Sequence, residues 1–142
     1  MNSPADIQQR FAGFPFGALA TPEEIEQAEA RLGHELPAAL KAHYLAYDGF
    51  TGPAGERFFN SLAQMLATTL WLRGEQGFPE FLQQAVAVGE LDDGPFWLIL
   101  IGDPDRVVEW DAEMADEDRV SLETSLADTW LERKRRYDEI TG

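Results

Sequence analysis

The hydrophobic pattern of this chain changes its period once. As far as about residue 73 the apolar positions recur at helical spacing, and from Ala85 onward they alternate or run together as in strands. "SPADIQQRF" places Ser3 as an N-cap, Pro4 at the first helical position and Asp6 three residues after the cap, with Ile7 and Phe11 one turn apart. A short helix is expected there. Thr21, Pro22 and Glu24 repeat that start signal. Ile25, Ala28 and Leu32 then share one face, and Gly33 stands where a left-handed cap is wanted. Leu36-Pro37 restarts a helix with Leu40, Tyr44 and Tyr47 as its stripe, and Asp48-Gly49 stops it. Two capped helices this close together predict a tight helical hairpin. The turn-rich "FTGPAGERF" follows. A further helix is expected from Ser61 to Arg73, with Leu62, Met65, Leu66, Thr69 and Leu70 on a broad apolar face.

In the second half "AVAVGEL" reads as a strand. "FWLILI" is apolar on both faces, which marks a central strand, and it places Phe96 and Trp97 on opposite sides. Asp93-Gly94 is a turn pair between these runs, and "GDPD" makes the next turn. "RVVEWDA" alternates, with Val108 and Trp110 on one face and Val107, Glu109 and Asp111 on the other. This is the pattern of a strand with one wet side. "RVSLE" is expected as an edge strand. A last helix from about Ser125 to Asp138 carries Leu126, Trp130 and Tyr137 on one stripe. Its basic run Arg133–Arg136 is placed to complement the C-terminal dipole. The order predicts an α+β fold: an N-terminal helical hairpin and a further helix packed on an antiparallel β-meander, closed by a C-terminal helix. Residues 1–20 read as an N-terminal arm with a short helix, and residues 21–142 as a single domain.

Charge narrows the function classes. The 142 residues carry a formal net charge of −15. Eleven acids fall between Glu90 and Asp118 against Arg106 alone, so this segment supplies −10 of it. Phosphate backbones and anionic lipid repel such a chain, which argues against nucleic acid and membrane as partners, whereas a cationic protein is attracted. A solubilising surface and a docking face both account for the acidic segment. Cysteine is absent, which removes disulfides, thiolate metal sites and a Cys nucleophile. "FAGFPFGALA" ends like a leader-peptide cleavage site, but Gly13, Pro15 and Gly17 break its apolar run, so a cytoplasmic protein is expected.

Catalytic patterns are not assembled. His34 and His43 are nine apart on different elements, which does not fit a helical zinc pair. Ser3, Ser61 and Ser125 stand at helix starts, where capping explains them. "GDPDR" lacks the Lys-Ser/Thr of a phosphate loop. Asp103, Asp105 and Asp111 could face a hard cation, but Pro104 and the missing central Gly depart from a calcium loop. Glu109 and Asp111 could act as acid and base only in a partly buried cleft. No enzymatic activity, metal or cofactor is expected.

"TPEEIEQAEARLGHELPAALKAHYLAYDGF" resembles the SUKH superfamily, the group around the yeast Smi/Knr cell-wall-synthesis regulator. The marks are Ile25, Glu29, Leu32-Gly33, Leu36-Pro37 and Asp48-Gly49, followed by "VVEWD" in the right order. The resemblance spans about residues 21–137. The sequence departs from the family pattern at Asp48, where Asn is usual, and at Phe50, where the last Gly of "NGG" falls.

The resemblance implies function by binding. Many bacterial proteins of this type are thought to be immunity proteins that neutralise a cognate toxin, often a nuclease, and others are general intracellular interaction modules. For a basic toxin, the candidate partner-binding residues are Asp92, Asp93, Trp97, Asp103, Asp105, Glu109 and Asp111.

Overall fold

A hydroxyl cap followed by proline starts each of the first two helices, as their spacing predicts. The computed structural model describes residues 2–91, 94–113 and 119–141. Helix α1 spans Pro4–Arg10 and α2 spans Pro22–Leu32. In both, the cap hydroxyl accepts from the third-position N–H, and the third-position carboxylate accepts from the cap N–H. Gly33 ends α2 at φ 84°, a region that favours glycine. Helix α3, Ala38–Ala46, has no side-chain cap of its own. Glu29 on α2 serves instead: its Oε2 accepts from the Leu36 N–H at 2.7 Å and pairs with Lys41 at 3.0 Å. That bond raises the Lys41 ammonium above its ordinary range.

Asp48-Gly49 does more than end α3. Asp48 Oδ1 accepts from the Leu62 N–H at 2.6 Å, at the start of α4 (Leu62–Gly74), where Ser61 also accepts from the Gln64 N–H at 3.1 Å. Gly49 has φ 81°, and a Cβ there would lie 2.7 Å from the Phe59 carbonyl oxygen. The turn-rich stretch between these helices is a small hairpin, β1 (Phe50–Thr51) with β2 (Arg57–Phe59). Only its turn was legible, because each strand has two or three residues, too few for a period of two to show.

The second half forms an antiparallel meander in the order β3 (Ala85–Glu90), β4 (Phe96–Leu100), β5 (Asp103–Trp110) and β6 (Val120–Ser121). A short 3-10 helix, Glu80–Gln84, leads into β3, and α5 (Leu126–Thr141) closes the chain. This is the α+β architecture expected from the sequence. The turn between β4 and β5 is only Ile101-Gly102, shorter than "GDPD" suggests, and Asp103 and Asp105 already belong to β5.

Two apolar layers cover the sheet. One side packs Val86, Val88, Trp97, Ile99 and Val107 against α2, α3, α4 and α5. Phe50 and Trp130 lie near the middle of this layer, with ring centroids 5.0 Å apart, and Trp130 also lies 4.8 Å from Phe59. The other side packs Ala87, Phe96, Leu98, Val108 and Trp110 against Leu72, Leu82, Phe78 and Phe81. Each phenylalanine so buried contributes about 1.5–3 kcal/mol. The first twenty residues join the larger layer. Ile7 and Phe11 are fully buried, and Gly17 exchanges backbone bonds with Asp48 and Gly49.

The double cover corrects one expectation. Strand β5 has no wet side along its second half: Val107 and Trp110 are both fully buried. Alternation tells which side chains share a face but not what lies over it, and α5 covers the face of Val107 and Glu109. A second correction concerns α5. The helix continues to Thr141, so its basic run sits inside the helix and its last turn holds no cation. The cations pair sideways instead: Arg135 with Glu132 at 2.6 Å and Glu139 at 2.5 Å, and Lys134 with Asp138 at 2.8 Å.

Candidate partner-binding surface

The sheet separates the expected contact residues into groups. Asp103 and Asp105 are exposed at the start of β5, where Asp103 lies 4.0 Å from Arg106 and Arg106 pairs with Glu123 at 2.8 Å. Asp111 is at the other end of the strand, about 20 Å from Asp105 at a rise of about 3.3 Å per residue. It is half-buried, its Oδ1 accepts from the Glu113 N–H at 2.8 Å, and it lies beside Gly94 in the β3–β4 turn. Asp92 and Asp93 precede Gly94 and fall outside the described residues. Asp103 and Asp105 thus lie at one end of β5 and Asp111 at the other, so these three do not form one continuous patch.

Trp97 and Glu109 are opposed on β4 and β5, in a groove of about 430 Å³ between the sheet and α5. The Trp97 indole N–H donates to Glu109 Oε1 at 3.2 Å. The ring lies over Gly89, where a Cβ would meet Trp97 Cε3 at 3.0 Å, and β3 is irregular at that point. Arg133 from α5 places its guanidinium 5.6 Å from the Trp97 ring and 5.2 Å from the Phe58 ring. Trp97 is 5% exposed, which makes it a core side chain at the floor of the groove. Glu109 is half-buried beside it. The sequence signal for both was silent about the helix above them.

The polar side chains of the interior are committed to structure. His43 Nδ1 shares a hydrogen bond of 2.5 Å with the Tyr47 hydroxyl, and burial pushes this imidazole down to about 4. The Tyr44 hydroxyl donates to the Asn60 carbonyl at 3.0 Å, and burial raises both tyrosines well above their ordinary range. His34 Nε2 lies 2.7 Å from Arg73. Arg73 also donates to the carbonyls of Leu32 and Ala85, each at 3.0 Å, so it ties the helical hairpin and α4 to β3. Among the described residues no three His, Asp or Glu side chains are grouped to hold a metal ion. No helix among them is long and apolar enough to cross a membrane.

Sequence reasoning passed over one surface feature. Trp71 on α4 is 49% exposed, yet its ring contacts Phe78 at 5.6 Å and Phe96 at 6.3 Å. Its signal was a large aromatic just off the apolar face of a helix.

A search of curated proteins matches no relative. The sequence does match the description SMI1/KNR4 family (SUKH-1) over residues 19–133. That span takes in the Glu29 bracket, the Asp48-Gly49 stop, the whole meander and the first half of α5, and on that match the chain belongs to the SMI1/KNR4 (SUKH-1) family.

Proposed function

We propose that this chain works by contact, as a non-enzymatic immunity-type protein that neutralises a cognate bacterial toxin of basic, nuclease-like character in the cytoplasm. One observation carries the reading: a SUKH-1 domain that concentrates −10 of its −15 charge between Glu90 and Asp118, the segment that contains β4 and β5. A nuclease needs a positive cleft to grip phosphate. An acidic partner competes for that cleft, and long-range attraction speeds the encounter. The exposed Asp103 and Asp105, Asp111 at the other end of β5, and the charges of Asp92 and Asp93 supply the field, while Trp97 and Glu109 stabilise the sheet that carries them.

The test is growth rescue. Each basic toxin domain encoded beside this gene is expressed alone and together with the chain. Rescue by the wild type is expected, with a one-to-one complex that weakens steeply between 50 and 300 mM salt and is impaired by D103K/D105K. Absence of rescue, or affinity indifferent to salt and to charge reversal, overturns the reading. A tight partner without toxicity would instead mark a general interaction module of the same family.

A further inference from the structure

We propose that the surface around Trp71, on the side of the sheet away from α5, is the point at which a basic protein partner inserts an Arg or Lys side chain. The proposal rests on the partner-binding reading above and assigns that reading a face.

Exposed tryptophan is uncommon, and this one is held rigidly. Its ring packs edge-on against Phe78, and Phe78 packs at 5.3 Å on the fully buried Trp110. Phe96, at the start of β4, supports it from the sheet. A ring fixed on one side and open on the other has little conformational freedom to lose on contact, which is the property of an interface anchor. The other three tryptophans are at most 5% exposed, so none can play this part.

The charge around the ring selects the partner. Glu75 follows one turn after Trp71 at the end of α4, and Glu80 is exposed at the start of the 3-10 helix. The nearest cation in sequence, Arg73, turns inward to backbone carbonyls. The same aromatic layer already holds one guanidinium, with Arg119 4.4 Å from the centroid of Phe81. A ring face with a negative quadrupole, on a chain of net charge −15, complements a cation from outside.

The probe is a synthetic octa-arginine peptide titrated into the full chain at low salt, with octa-glutamate as control. The indole N–H resonances report the contact, and W71F assigns the one that belongs to Trp71. The Trp71 signal is expected to move most. Trp71→Ala should weaken octa-arginine binding at least about fivefold, and Trp71→Lys, which keeps an apolar stem but opposes the cation, should weaken it further. Thermal unfolding confirms that both variants fold. Equal affinity in wild type and both variants, or a Trp71 signal that stays still, overturns the assignment. If D103K/D105K alone then abolishes binding, the basic-partner reading stands on the other end of the sheet. If octa-arginine does not bind the wild type at all, both readings fall.

Discussion

Acid should loosen this fold through His43. The ring is 6% exposed, with Trp130 at 5.0 Å, Tyr47 at 5.7 Å and Phe59 at 6.4 Å between centroids. Burial lowers its titration from about 6.5 to about 4, because the charged imidazolium loses its water. The Tyr47 hydroxyl stays protonated throughout, since burial raises it, so no phenolate offsets the charge. Between pH 6.5 and 4 the unfolded chain binds the proton and the native chain does not. Stability is therefore full above about pH 6.5 and falls as the pH drops toward 4. At about 1.36 kcal/mol per pH decade the gap is worth about 3 kcal/mol once pH 4 is passed, and about 2 kcal/mol is already lost at pH 5. That is a large fraction of the roughly 5–15 kcal/mol that holds a domain together. Urea unfolding at pH 7.5, 6 and 5 on wild type and His43→Asn isolates the effect, because every other carboxylate and imidazole cancels in the comparison. The wild type should lose about 2 kcal/mol more than the variant between pH 7.5 and 5. Parallel pH profiles, or a wild type that gains stability in acid, would refute the argument.

Three further perturbations test the brackets of the fold by chemical denaturation. Asp48→Asn keeps an oxygen to accept from the Leu62 N–H and should be nearly neutral, whereas Asp48→Ala should cost about 1–2 kcal/mol. Gly49→Ala combines φ 81° with a methyl 2.7 Å from the Phe59 oxygen and 2.8 Å from the Ser61 nitrogen, so it should cost about 2 kcal/mol or more. Arg73→Met keeps the stem but removes the donors to Leu32, Ala85 and His34, and should cost about 2–3 kcal/mol; a variant as stable as wild type would show that these bonds hold nothing.

Local chemistry made the helical half legible. Caps at Ser3 and Thr21, the stop at Gly33 and the Asp48-Gly49 end act over three or four residues, and the sequence displays them directly. The brackets that join elements were not visible, because their partners lie far apart. Glu29 reaches Leu36, Asp48 reaches Leu62, and Arg73 reaches Leu32 and Ala85. The role of the first twenty residues was hidden for the same reason: Phe11 packs against Phe50 and Phe58, far along the chain. In the candidate surface, the alternation of β5 was readable, but its pairing with β4 and its burial were not. Trp97 and Glu109 look free until α5 is laid over them.

That difference bears on how an acidic domain of this size can recognise anything. Carboxylates at Asp103 and Asp105 have water on every open side, and a contact made there with a cation is screened and weak. Such groups speed encounter and set its sign, while residence time needs apolar area removed from water beside them. Trp97 is buried in the larger layer, at 5% exposure, and does not offer that area. The smaller layer does, at Trp71, with Glu75 one turn further along at the end of α4. A mutational scan should therefore divide by kinetic step. Charge reversal at Asp103 and Asp105 should lower the association rate and its salt dependence, and loss of Trp71 should raise the dissociation rate. If both sets act on association alone, the partner is held by charge only and the aromatic surface is idle.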